Sequence, residues 1–300
     1  MQHPEVSLPD PHTVLVIDSG IGGISIVQAL QTRMPAVRII YVADNAMFPY
    51  GEKPQRLIMQ RLQQIIDVAL LTYSIDTIVI GCNTATVMHI DQLRQHYSPQ
   101  NVPFVGVVPP VKTAAETSQS QCFTIVATQN TSQSLYLERL IRDYASTCEV
   151  TRIAAVGLAD YAEKVIHGIA VEEEQLSHIL SHLLSNMLNS TPTHPDVLVL
   201  GCTHYAFIQA EIAALLPAHI NIIEPSMPVA KRVQWLLQQR PKPSSLPLSK
   251  QRHNITQTNR TNDDHNNQFF FTQAREISAS FIRFLQAHDF ENAQVLSLNA

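Results

Sequence analysis

The chain predicts an α/β protein built from two parallel-sheet domains, and three observations carry that expectation. Short apolar runs of strand length alternate with amphipathic stretches of helix length along most of the 300 residues. The string DTIVIGCNTA at 76–85 returns as DVLVLGCTHY at 196–205, so one strand, glycine and cysteine signal occurs twice. Of the nine glycines, Gly20, Gly22, Gly23, Gly51, Gly81, Gly106 and Gly201 fall at the turns that end strands, where a backbone without Cβ lets a ligand or a neighbouring chain approach.

In chain order, TVLVID (13–18) reads as a buried strand, and the glycine-rich turn 19–23 opens a helix to about Thr32. Residues 37–43 form the next strand, 55–73 a helix, 77–80 a strand, 85–96 a helix and 104–107 a short strand. A second series begins after Pro109 and Pro110. It has a helix through Glu116, a strand at 123–127, a helix at 132–144, a strand at 150–154, helices around 161–166 and 172–188, and a strand at 197–200. From 240 to 268 the composition turns to Pro, Ser, Asn, Gln and Thr, the signature of a mobile loop. Apolar character resumes at 269–271 as a strand and at 274–286 as a helix with Ile277, Phe281, Phe284 and Leu285 on one face, so this loop is internal.

A hydrophobic content of 45% with 15% charged residues gives domains with real cores and excludes wholesale disorder. The net charge of -5 argues against nucleic acid or an anionic membrane as partner and leaves a small molecule. No apolar run approaches the roughly 18 residues that span a bilayer, and 1–13 is polar and proline-containing, unlike a secretory signal. The expected compartment is the cytoplasm. Cys82, Cys122, Cys148 and Cys202 make no C-x-x-C pair and have no histidine at zinc-finger spacing, so reduced thiols and no metal are expected. Cys122 and Cys148 have no polar motif around them and read as structural.

A solitary cysteine is ordinarily a small apolar core residue. Cys82 and Cys202 differ, because each follows an apolar strand and a glycine and precedes polar residues: Asn83 and Thr84 in one case, Thr203 and His204 in the other. Ligands of open parallel sheets bind at the carboxyl ends of the strands. Two such units facing each other would bring the thiols to opposite sides of one substrate, an arrangement suited to inverting a stereocentre. Pyridoxal chemistry needs a Schiff-base lysine, and no lysine belongs to either cysteine motif, so no cofactor is expected. One thiolate would remove an α-proton while the opposite thiol delivers another, with neighbouring groups tuning thiols whose ordinary pKa is about 8.5. Asp18 and His204 are candidates to orient or deprotonate a thiol or to hold a substrate ammonium, although Asp18 could equally cap the following helix. The amides of 20–23 and 83–85, at helix N-termini, could bind substrate carboxylates.

At these residues the chain resembles the cofactor-independent glutamate racemases of the aspartate/glutamate racemase superfamily. The strings IDSGIGG (17–23), FPYGEK (48–53), GCNTAT (81–86), GVVPPV (106–111), ATQNT (127–131) and GCTHY (201–205) stand in the family's order and cover most of 13–236. The resemblance implies pseudo-two-fold symmetry with the active site in the inter-domain cleft, a first domain of 1–105 plus 222–300 and a second of 106–221. It implies Cys82 and Cys202 as the acid/base thiols with Asp18 and His204 assisting. Asp18, Ser19, Pro49, Tyr50, Gly51, Asn83, Thr84, Thr131, Thr203 and His204 would contact substrate. A second-domain carboxylate that tunes the second thiol is assigned to Asp160, with Glu163 three residues on as its substitute. Ala206 after GCTHY, Ala127, IEPS at 223–226 and the polar insertion depart from the family pattern.

The implied activity is interconversion of L- and D-glutamate for peptidoglycan synthesis, with glutamate as the small-molecule partner and a monomer or homodimer as the assembly. FPYGEK resembles the branch in which some members are activated by a peptidoglycan nucleotide precursor. Three alternatives stand beside this: an aspartate racemase of the same superfamily, a catalytically silent amino-acid binding protein, and a dinucleotide-binding oxidoreductase that would use Gly20, Gly22, Ser25 and Asp44. A cysteine phosphatase is excluded, because neither Cys82 nor Cys202 has an arginine six residues on.

Overall fold

The structure, a computed structural model, describes residues 12–171, 194–239 and 266–298 together with 179, 181 and 185. Apart from those three helical residues, the helix expected over 172–188, and all but the last residues of the loop expected over 240–268, lie outside the described residues.

The first series builds β1 (Thr13–Asp18), α1 (Ile24–Arg33), β2 (Arg38–Ala43), α2 (Gln55–Thr72), β3 (Thr77–Ile80), α3 (Asn83–His96) and β4 (Phe104–Gly106). The second builds α4 (Val111–Thr117), β5 (Cys122–Ala127), α5 (Gln129–Ser132), α6 (Leu135–Tyr144), β6 (Glu149–Ala154), α7 (Leu158–Ile166), β7 (Val197–Gly201), α8 (Gln209–Leu215) and β8 (Asn221–Ile223). Then come α9 (Ser226–Gln238), β9 (Gln268–Phe271), α10 (Ala279–Gln286) and β10 (Ala293–Val295).

One sheet runs β10-β9-β2-β1-β3-β4 and the other β6-β5-β7-β8, with every pairing parallel. The duplication seen in the sequence is therefore a duplication of topology. In each sheet the first strand lies inside, the second on one side, the third on the other, and the fourth beyond the third. Cys82 and Cys202 follow β3 and β7, the third strand of each set. Because β4 belongs to the first sheet and β8 to the second, the chain crosses between sheets at 107–110 and 224–225.

Strands covered on both faces must be apolar throughout, and β1 shows why. Val14 and Val16 enter a core shared with α1, α9 and α10, whereas Leu15 and Ile17 enter the opposite core under α2 and α3. The last segment extends the first sheet. Phe269 of β9 is fully buried and stacks on Tyr41 of β2 at 5.0 Å, with Phe290, Phe271 and Phe281 set edge-on around it.

Helices α8 and α9 were not expected, and α7 begins at Leu158; three other helices are bounded differently, two of them through a side-chain cap. The helix expected over 85–96 begins at Asn83, which makes Cys82 its N-cap residue. The one expected over 132–144 divides, because the side chains of Thr128 and Ser134 each accept from a backbone N–H three residues on and start α5 and α6 separately. The one expected over 274–286 begins only at Ala279, where Ser278 accepts from Phe281 N at 3.1 Å.

Since Phe269 holds the returning segment to the first sheet, Phe269→Ala should destabilise the protein by about 3–5 kcal/mol. A urea midpoint equal to that of the unaltered protein would show that β9 is not part of the cooperative core.

Candidate active site

The site is assembled from strand ends of both sheets. Asp18 closes β1 and is fully buried: Oδ1 accepts from Ser19 N at 2.6 Å, and Oδ2 accepts from Gly23 N at 2.5 Å and from the Thr203 hydroxyl, across the sheets, at 3.2 Å. Burial raises the Asp18 carboxyl above its ordinary value against the lowering effect of His204 and of these amides. Thr84, at the head of α3, meets the hydroxyls of Thr128 at 2.9 Å and Thr131 at 3.3 Å, a second polar link between the halves.

Cys82 is the N-cap residue of α3, where the backbone N–H groups of Ala85 and Thr84 favour a charged sulfur, although its side chain makes no capping hydrogen bond. Burial nevertheless pushes this thiol well above its usual value, and the charge of Asp18 pushes the same way. The charge of Cys202 adds to the effect. Cys202 is equally buried but heads a single 3-10 segment, Thr203–Ile208, and its sulfur sits 3.9 Å from His204 Nδ1.

His204 continues the chain of contacts through Nε2, 2.8 Å from Glu163 Oε2. Burial opposes a charged imidazole, but the Cys202 and Glu163 bonds and the charge of Asp18 outweigh it and hold His204 well above its ordinary pKa. Glu163 accepts from Ile21 N at 3.0 Å on the same oxygen, while His167 Nε2 lies 3.1 Å from Oε1. Burial alone would raise this carboxyl; the His167 and His204 bonds win and lower it to about 2.

This geometry corrects the assignment of Asp160. Its carboxylate pairs with Lys164 at 2.6 Å on the outer side of α7, with the side chain 43% exposed, whereas the Glu163 side chain is 9% exposed. One helical turn separates the two acids, and Glu163 is the one whose phase points to His204.

The glycines of the first loop make room for this relay. A Cβ on Gly20 would stand 2.5 Å from Glu163 Oε2, and one on Gly22 would stand 2.6 Å from Thr203 Oγ1 and strike His204. The loop amides have a different use from the one expected. Ile21 bonds to Glu163 and Gly23 to Asp18, so the turn before α1 holds the protein's own acid groups.

Ser19, Asn83, Thr84, Thr131 and Thr203 are buried around these groups. Asn83 is 2% exposed and neither atom of its amide has a hydrogen-bond partner, an unmet demand beside Cys82 that a polar ligand would satisfy. From the first half Gly51 lies against Thr128 and Phe48 packs on the His204 ring at 5.3 Å, with Pro49 and Tyr50 between them in the chain. The Tyr50 hydroxyl instead donates to Asp44 at 2.7 Å, so this residue can offer a ligand only its main chain. Asp44 is fully buried and also accepts from Arg61 and Thr272, which leaves it no freedom to hold a ribose and removes the basis of the dinucleotide alternative. His167 went unmarked in the sequence although its i, i+4 spacing from Glu163 was a readable signal.

The chain matches the profile of the Asp/Glu/Hydantoin racemase family over residues 24–231. It is 36% identical over 225 residues to a glutamate racemase of Proteus mirabilis, spanning 75% of this chain and 76% of that protein. With a glutamate racemase of Pectobacterium carotovorum the identity is 34% over 231 residues, spanning 77% and 78%. The crystal structure of Escherichia coli glutamate racemase in complex with L-glutamate and the activator UDP-MurNAc-Ala aligns with a TM-score of 0.80 at 29% identity, covering 97% of this chain and 100% of that one. That of Thermus thermophilus glutamate racemase in complex with beta-chloro-D-alanine aligns at 0.70 and 25% identity, covering 97% and 99%. Among the described residues no helix is long and apolar enough to cross a membrane.

The Glu163 carboxylate raises the pKa of His204, so Glu163→Gln should lower it and Asp160→Asn should leave it in place. Ring nitrogen NMR titration of His204 measures both, and a larger effect from Asp160→Asn would reverse the correction.

Proposed function

The chain belongs to the Asp/Glu/hydantoin racemase family, and on that premise we propose that it interconverts L-glutamate and D-glutamate by two-base chemistry without a cofactor. The observation that carries the mechanism is the equivalence of the two thiols. Each follows the third strand of a four-strand set with the same order, and the Asp18–Thr203, Glu163–Ile21 and Thr84–Thr128 bonds hold the two halves against each other.

In this reading one thiolate takes the α-proton and the opposite thiol protonates the other face of the planar carbanion, and the roles exchange for the other enantiomer. Cys202 passes its proton toward His204, whose far nitrogen rests on Glu163. Cys82 relies on the amides of Thr84 and Ala85 to stabilise its thiolate, with Asp18 as its charged neighbour. The Asn83 amide and the hydroxyls of Thr84, Thr131 and Thr203 would bind the substrate's polar groups. Burial of all these residues implies that the halves part to admit glutamate and close around it, excluding water from a carbanion that water would otherwise protonate.

D-glutamate made this way would enter peptidoglycan synthesis, which assigns the enzyme to the cytoplasm. Likeness to the Escherichia coli enzyme, together with FPYGEK, supports a nucleotide-linked cell-wall precursor as activator.

Incubation of the reduced protein with L-glutamate in D2O, without added cofactor, should take the optical rotation to zero with loss of the α-proton signal. Cys82→Ala and Cys202→Ala should each slow racemisation by at least about 100-fold. Deuterium exchange with aspartate and none with glutamate would transfer the assignment to an aspartate racemase.

A further inference from the structure

Glu163 uses only one oxygen on His204. The other meets His167, which ends α7, with Gly168 taking the left-handed conformation (φ 68) that stops the helix there. His167 is 4% exposed, and the C-terminal segment of the first half encloses it. Its ring lies 4.1 Å from that of Phe281 and 6.2 Å from that of Phe271, and its carbonyl accepts from the Ser278 hydroxyl at 2.7 Å. Arg275, whose guanidinium lies over Phe271, places Nη1 3.0 Å from His167 Nε2.

That same nitrogen is 3.1 Å from Glu163 Oε1. A carboxylate oxygen only accepts and a guanidinium only donates, so Nε2 can bond to one of them at a time. Bonded to Glu163, it gives Oε1 a donor and fixes the carboxylate plane, which keeps Oε2 aimed at His204 and Ile21. Bonded to Arg275, it leaves a buried carboxylate oxygen without that donor, at a cost the carboxylate can reduce only by turning.

We infer that His167 is a positioning residue for the racemisation: it holds Glu163 in register with His204, and Arg275 from the C-terminal segment competes for its Nε2. The inference rests on the racemase reading and adds a group that touches neither thiol nor substrate. The charged and titratable groups bonded to the ring are Glu163 of α7 and Arg275 of the C-terminal segment, with His204 one bond further; Phe271, Phe281 and Ser278 supply the rest of the enclosure.

The test compares His167→Phe, which keeps a ring against Phe271 and Phe281 but has no donor, with His167→Gln, whose amide N–H can reach Oε1, and with Arg275→Gln. His167→Phe should lower kcat/KM about tenfold, and it should lower the pKa of His204 in ring nitrogen NMR, moving the alkaline limb of the kcat/KM profile to lower pH. His167→Gln should restore most of the activity, and Arg275→Gln, which removes the competitor for Nε2, should leave the His204 pKa unchanged or raise it. A His204 titration and a pH profile in His167→Phe equal to those of the unaltered protein would overturn the inference, as would a fall in the His204 pKa in Arg275→Gln as large as that in His167→Phe. Absence of racemisation by the unaltered protein would strike the functional reading, while the NMR comparison would still decide the role of His167.

Discussion

The buried Glu163 carboxylate is the constraint around which the two halves are arranged. A charge removed from water must be matched by donors, and these donors come from three places: His204 after β7, Ile21 in the glycine loop after β1, and His167 at the end of α7. Meeting that demand draws the loop of the first sheet onto the second. It also explains the small residues there, since side chains at Gly20 or Gly22 would occupy the space of the relay. Asp18 repeats the device from the other side, with Thr203 reaching across to it.

Duplication gives two thiols in equivalent positions, yet it does not give them equivalent surroundings. Cys82 begins a regular α-helix, so backbone amides are its natural partners. Cys202 begins a 3-10 segment, and that tighter winding brings the side chain two residues on back toward the sulfur. One half thus sets its thiol at the N-terminus of a helix and the other beside an imidazole backed by a carboxylate. A racemase can use such asymmetry because its two bases meet mirror-image substrates in one asymmetric cleft.

Eight of the ten described strands were legible as short apolar runs and the paired thiols as a GC signal that occurs twice, whereas β8 and β10, three residues each and partly exposed, went unread. Asp160 was misassigned for a physical reason. Residues 160 and 163 lie one turn apart on an amphipathic helix, and only packing against the other half decides which of them is enclosed. Arg275 could not be read at all, since its proximity to His167 depends on β9 joining the edge of β2 after a long insertion. The serines and threonines that cap α5, α6 and α10 were visible as residues, but periodicity ran the apolar pattern through them.

The opposed pair of thiols is tested most directly by following deuterium in both enantiomers during the first few per cent of conversion of L-glutamate in D2O. Two bases on opposite faces predict D-glutamate that carries deuterium at the α-carbon while the remaining L-glutamate keeps its protium. Deuterium entering the remaining L-glutamate as fast as the product, or protium carried over into D-glutamate, would mean that a single base serves both faces and would contradict the account.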